Sequence, residues 1–177
     1  RFEIQKRTSR QRRLVEMKKG VQRRIELLHP EMQKRVKKFL QECKSSGVNV
    51  SIIETLRTTE VQQAYFSQGR EHLEDVNEKR RIAGLYEIGE KENKKIITNC
   101  DGIKNKSNHQ AKEDGFGYAV DIVPVDDRAR PLWNARQEVW ELIGYIAETC
   151  GLDWCAGGYG QTWGKGWDNP HFEYVPE

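Results

Sequence analysis

At 177 residues, with 32% charged and 36% apolar side chains, the chain suits one ordinary domain, alone or with a short appendage. Folding at this length removes roughly 70% of the extended surface from water, so neither a disulfide nor a metal is needed merely to fold. No window approaches the roughly 20 apolar residues of a membrane-spanning helix, and no apolar run follows the N-terminal charges as it would in a signal peptide.

The net charge of +3 is unevenly laid out. Residues 1–24 carry ten Lys/Arg against Glu3 and Glu16, an arm of +8 ahead of a body of −5. After Ser9, the residues Leu14, Met17, Val21, Ile25 and Leu28 recur at helical spacing. Residues 1–28 are therefore read as a basic amphipathic arm, and 29–177 as the domain that carries the chemistry. Such an arm suits polyanions (nucleic acid, teichoic acid, lipid head groups) or is simply a solvated helix face. Neither RNP-type aromatics nor zinc-finger spacing accompanies it, which argues against nucleic acid. The sequence opens at Arg1 rather than methionine, so a leader could have been trimmed and the export route is open.

Pro30 stands where a helix opens, with His29 as a local cap. Met32, Val36, Phe39, Leu40 and Cys43 make one apolar stripe closed by Gly47. Val48, Val50 and Ile52 alternate with polar residues and predict a strand to about Leu56. Thr59 and Gln62 form a capping-box pattern for a helix with Val61, Ala64 and Tyr65, ended by Gly69. Residues 71–95 are densely charged and weakly periodic, which predicts a surface excursion with a short helix near Ile82–Tyr86. Ile96 and Ile97 suggest a short strand before a turn-rich stretch. Ala119–Val123 reads as a second strand around Asp121. Asn134 is placed as the cap of a helix carrying Val139, Leu142, Ile143, Ile146 and Cys150, stopped by Gly151. The glycine-rich stretch Gly157–Gly166 leads to a final strand, His171–Tyr174. Helices and strands are segregated without βαβ regularity, which predicts an α+β fold: a small, largely antiparallel sheet with flanking helices.

Cys43, Cys100, Cys150 and Cys155 match neither a zinc ribbon nor a disulfide framework and are read as reduced and structural. Neither GxxxxGK[ST] nor GxGxxG is present, so a nucleotide site has no support. The chemistry falls to two of the four histidines. His29 and His72 are read as a cap and a solvated residue. His109 lies in Ser107-Asn108-His109, ahead of the strand that holds Asp121. His171 follows Asp168-Asn169-Pro170 and precedes Phe172-Glu173. Two imidazoles and one carboxylate are the ligand set of an open catalytic zinc site. They leave the ion net positive charge, enough to acidify a water and polarise a carbonyl. Pro170 makes the 168–171 segment a turn, from which Asp168 could act as general base or simply hold an Asx-turn.

Ser107-x-His109, Gly117-x-Ala119-x-Asp121 and Asp168-x-Pro170-His171-Phe172-Glu173 together resemble the LAS-group zinc peptidases. These are the D-alanyl-D-alanine carboxypeptidases, dipeptidases and L-alanyl-D-glutamate endopeptidases of bacterial cell walls. Leu56-Arg57-Thr58, with Gln62, Gln63, Tyr65 and Gln68-Gly69-Arg70, resembles the family's arginine segment. Gly151-Leu152-x-Trp154 with Gly157-Gly158 resembles its approach to the last histidine.

The resemblance implies a D-Ala-D-Ala peptidase-like (hedgehog-type) fold and one Zn²⁺ per chain, held by His109, Asp121 and His171. Asp168 would be the acid/base and Arg57 would hold the oxyanion or the substrate. Ser107, Glu173 and Trp154 would hydrogen-bond substrate or orient a ligand. It also implies peptidoglycan stem peptides as substrate, at the bacterial wall, most like the endopeptidases found in phage endolysins. A monomer is expected. The alternatives are D-alanyl-D-alanine carboxypeptidase action and a non-catalytic zinc-stabilised wall-binding module. The His109–Asp121 spacing is five residues longer than the family pattern, with Gln110–Phe116 as the enlarged loop. A longer loop costs little, but it also admits Glu113 or Asp114 as the carboxylate ligand.

Overall fold

In a computed structural model, residues 19–155 and 168–176 are described. The arm's Leu14 and Met17 and the Gly157–Gly166 stretch lie outside them. The chain divides into two units, Arg23–Leu56 with Gly117–Glu177, and Arg1–Gln22 with Arg57–Phe116.

The first is a sheet unit. Its chain enters through a 3-10 turn at Ile25–Leu27, and residues 19–24 are bend and coil. The amphipathic helix expected to run through Val21, Ile25 and Leu28 does not extend here. Leu27 and Leu28 are buried, and Leu28 pairs with Gly117 in an isolated bridge that ends the helical run. Helix α1, Pro30–Ser45, has proline at its first turn and His29 as N-cap, the imidazole Nδ1 accepting from Glu31 N at 3.2 Å. Strand β1 is Val50–Glu54 and β2 is Ala119–Pro124. Helix α5, Gln137–Thr149, is capped at Arg136 rather than at Asn134. Strands β3, Asp153–Trp154, and β4, His171–Glu173, complete an antiparallel sheet in the order β1-β2-β4-β3. This is the small antiparallel sheet that the segregated pattern predicts, with β3 as an unforeseen edge.

One sheet face carries Val120, Ile122, Trp154 and Phe172 into a core built with Met32, Val36 and Phe39 of α1 and Trp140, Ile143 and Ala147 of α5. Strand alternation turns Asp121, His171 and Glu173 to the opposite face. The sheet thus buries one side in the core and presents Asp121, His171 and Glu173 on the other, beside the buried Ala119 and Val123.

The second is a helical unit. Helix α2, Thr59–Ser67, is capped by Thr58, whose Oγ1 accepts from Val61 N at 3.2 Å, so the capping residue lies one position earlier than the sequence pattern indicates. Leu73–Ala83 forms a full helix, α3, where a mostly irregular excursion was expected. It buries Val76, Arg80 and Ala83 and ends at Gly84, whose φ of 76° is the left-handed turn a glycine accepts. A short helix α4 follows at Glu90–Asn93. Ile96 and Ile97 form no strand; both are exposed. Among the described residues no helix is long and apolar enough to cross a membrane.

Candidate active site

The polar sheet face is set by register. Asp121 of β2 stands directly opposite His171 of β4, and Ala119 opposite Glu173. On its other side, β2 meets β1 across an irregularity between Ile52 and Glu54 that pairs Glu54 with Asp121. A bulge at that point re-aims side chains, as bulges beside functional groups commonly do. His171 is held at both ring nitrogens: Nδ1 lies 2.9 Å from Asp121 Oδ1 and Nε2 2.8 Å from Glu173 Oε1. Burial works against a charged imidazole. The hydrogen bonds to Asp121 and Glu173, with the charges of Asp121 and Asp168, outweigh it, and the pKa is pushed up to about 10.

Asp168 opens the turn that delivers His171. His171 N donates to Asp168 O at 3.2 Å, and Pro170 O accepts from Ile122 N at 2.9 Å, tying the turn to β2. Trp154 is 5% exposed and its indole Nε1 donates to Asn169 O at 2.9 Å. The tryptophan therefore fixes the turn between the acid and the histidine from the core side. Its ring also packs on Gly144 of α5, where a Cβ would collide with it.

In the helical unit, Arg57, Ser107 and His109 come together. Arg57 N donates to His109 O at 2.9 Å, and Ser107 Oγ accepts from His109 N at 3.2 Å. His109 is 1% exposed and Arg57 8%. That burial, with Nη1 donating to Gln62 Oε1 at 2.8 Å and the guanidinium 4.9 Å from the Tyr65 ring centre, removes Arg57 from the class of surface ion pairs. Two glutamines do positioning that sequence reasoning did not assign. Gln62, fully buried, holds Arg57 through Oε1 and donates through Nε2 to Cys100 O at 2.6 Å. Gln110 accepts from Ser107 N and donates to Gly102 O, both at 3.0 Å. Gly102, at φ 81°, leaves no room for a Cβ beside Gln62. In the sequence Gln62 stands out only through the capping-box pattern and the arginine segment, and Gln110 only as the first residue of the enlarged loop.

The enlarged loop closes on itself: Lys112 N donates to Phe116 O at 2.9 Å, and Asp114 Oδ1 accepts from Phe116 N at 3.0 Å. Glu113 and Asp114 are exposed. All four cysteines are free. Burial pushes Cys43 up to about 12, and the Cys155 thiol is also raised, by burial and then by surrounding carboxylates.

This arrangement is the fold of VanY-like peptidases. The VanY D,D-pentapeptidase of a VanB-type vancomycin resistance cassette, a mutant solved with Zn(II), superposes with a TM-score of 0.51 at 15% identity over 92% of this chain and 82% of that one. VanYB in complex with D-alanine-D-alanine gives 0.51 at 17% identity, over 80% of its length and 91% of this chain. The Serratia marcescens L-Ala D-Glu endopeptidase ChiX gives 0.47 at 17% identity, covering 91% and 92%. No curated protein sequence matches the chain. The VanY family model, described as D-alanyl-D-alanine carboxypeptidase, matches residues 25–177, and the chain belongs to that family.

Proposed function

We propose that the chain is a zinc metallopeptidase of peptidoglycan stem peptides that cuts the L-alanyl-D-glutamate bond, with one Zn²⁺ held by His109, Asp121 and His171. The observation that carries the reading is the donor chemistry of a VanY-family chain. The potential ligands are a buried imidazole and an aspartate–histidine pair, a His/Asp/His group suited to a divalent ion. Glu173 on Nε2 of His171 supports it further, because a ligating histidine usually gives its other ring N–H to a carboxylate. An ion bound there brings the pKa of a water near 7 and polarises a carbonyl.

The chain's own groups supply the rest. Asp168 accepts a proton from the attacking water and passes it to the departing amine. Arg57, oriented by Gln62 and Tyr65, presents planar N–H donors to the oxygen on which charge develops. Ser107 and Gln110 hold the His109 loop, and Trp154 holds the Asp168 turn. Trp154 and Ser107 act here by positioning rather than by touching substrate.

D-alanyl-D-alanine carboxypeptidase action is the second reading, favoured by the description of the matching family. Digestion of purified peptidoglycan followed by mass spectrometry separates the two. New D-Glu amino termini support the endopeptidase, and released D-Ala supports the carboxypeptidase. A folded, zinc-loaded chain that yields neither product contradicts the peptidase reading. Asp168→Asn is expected to keep its metal and lose about 10²–10⁴-fold in rate, the usual worth of a positioned acid/base. Cleavage at the wild-type rate would remove Asp168 from that role.

A further inference from the structure

The sheet register places one more donor on the polar face. Asp153 pairs with Glu173 and Trp154 with Phe172, and the ladder continues one step further, where Cys155 N donates to His171 O at 3.2 Å. Cys155 therefore stands across from His171, and one row over three chain segments reads Asp121, His171, Cys155. The Cys155 sulfur, a ring nitrogen of His171 and a Glu173 carboxylate oxygen all lie within 4.8 Å of one another. Metal bonds of about 2.0–2.3 Å imply tetrahedral donor separations of roughly 3.3–3.8 Å, so a small closure of these side chains brings them to one centre. The charge is also suitable. The carboxylates Glu173, Asp168, Asp153 and Asp121 surround the sulfur with negative charge. Those surroundings attract a cation, and sulfur selects a soft one.

We propose that Cys155, His171 and Glu173 form a second cation site for thiophilic dications such as cadmium, cobalt(II) or excess zinc, competing for His171 with the metal site proposed above. The site itself stands on the sheet register alone; only the competition rests on the peptidase reading. The imidazole decides between the two. Asp121 lies at Nδ1 and Glu173 at Nε2, and a neutral ring has one lone pair to give. A cation drawn to Nε2 by Cys155 and Glu173 leaves Nδ1–H facing Asp121. Occupation of the other site leaves Nε2–H facing Glu173. As the cation binds sulfur and the imidazole, the thiol proton and the second ring proton of His171 leave to solvent.

The test is cobalt(II) titration of the metal-free full chain, read by the thiolate-to-cobalt charge-transfer band in the near ultraviolet. The band is expected in the wild type, unchanged in Cys100→Ser, stronger in His109→Ala and absent in Cys155→Ser. Should Cys155→Ser fail to fold by circular dichroism, Glu173→Gln provides the second variant. It keeps the band but needs more than the roughly 10–100-fold extra cobalt that loss of an outer partner requires. A wild-type chain loaded with cobalt but without the band overturns the site, as does a band that survives Cys155→Ser. Bands of equal strength in wild type and His109→Ala overturn the competition while the peptidase reading stands or falls on its own digest.

Discussion

Trp154 couples the hydrophobic core to the Asp168–His171 turn through a hydrogen bond from its indole to Asn169 O. Trp154→Phe keeps an aromatic ring of similar shape and loses that donor. Removing one such bond typically costs about 0.5–1.5 kcal/mol, measurable as a shift of the urea midpoint without a change in slope. An unchanged midpoint would mean that the bond does not hold the turn. The ligand-type residues were legible in the sequence because there are so few candidates: four histidines, two of them in polar constellations. Gln62, Gln110 and Cys155 were not. An amide or a thiol has no chemistry that announces its role, and each acquires one only when folding sets it beside Arg57, Ser107 or His171.

At the level of elements, strong periodicity or alternation identified α1, β1, β2 and α5, and their observed ends depart by a few residues. Helix α3 was missed because its buried face is built largely from an arginine. Arg80 is 3% exposed and lies over the Tyr86 ring at 4.7 Å. Its Nε donates to Tyr86 O at 2.7 Å, and its Nη1 to Gln68 Oε1 at 3.2 Å. A hydropathy pattern counts that residue as solvent-facing, whereas its stem packs as an apolar group. The opposite error occurred at Ile96–Ile97, apolar residues with no strand partner.

Gly144→Ala drives a methyl group into the Trp154 ring, and overpacking of this kind costs about 1–3 kcal/mol. The thermal midpoint should fall, and a midpoint equal to wild type would contradict the packing described. Glu148 sits in the last turn of α5, which has no basic residue, and burial followed by the Asp153 charge raises its pKa. A carboxylate raised on folding adds stability below its unfolded pKa and loses it as pH rises through the folded value. Glu148→Gln should therefore raise the thermal midpoint at pH 7 and change it little at pH 3. The reverse order would refute the assignment.

For the molecule as a whole, the antiparallel sheet was legible as a class, because segregated helices and strands leave few architectures. The division into a sheet unit and a helical unit was not, since the two alternate along the chain: Arg1–Gln22 and Arg57–Phe116 belong to one, Arg23–Leu56 and Gly117–Glu177 to the other. The end of the basic stretch lies beside the first join, but the other two, at Leu56/Arg57 and Phe116/Gly117, have no such marker. The most direct test of the account is metal stoichiometry by mass spectrometry after zinc loading. It is best made in a Cys155→Ser background, so that the sheet thiol contributes nothing. The account predicts one zinc per chain in that background and none when His109→Ala is added. A folded His109→Ala/Cys155→Ser chain that still holds one zinc would contradict it.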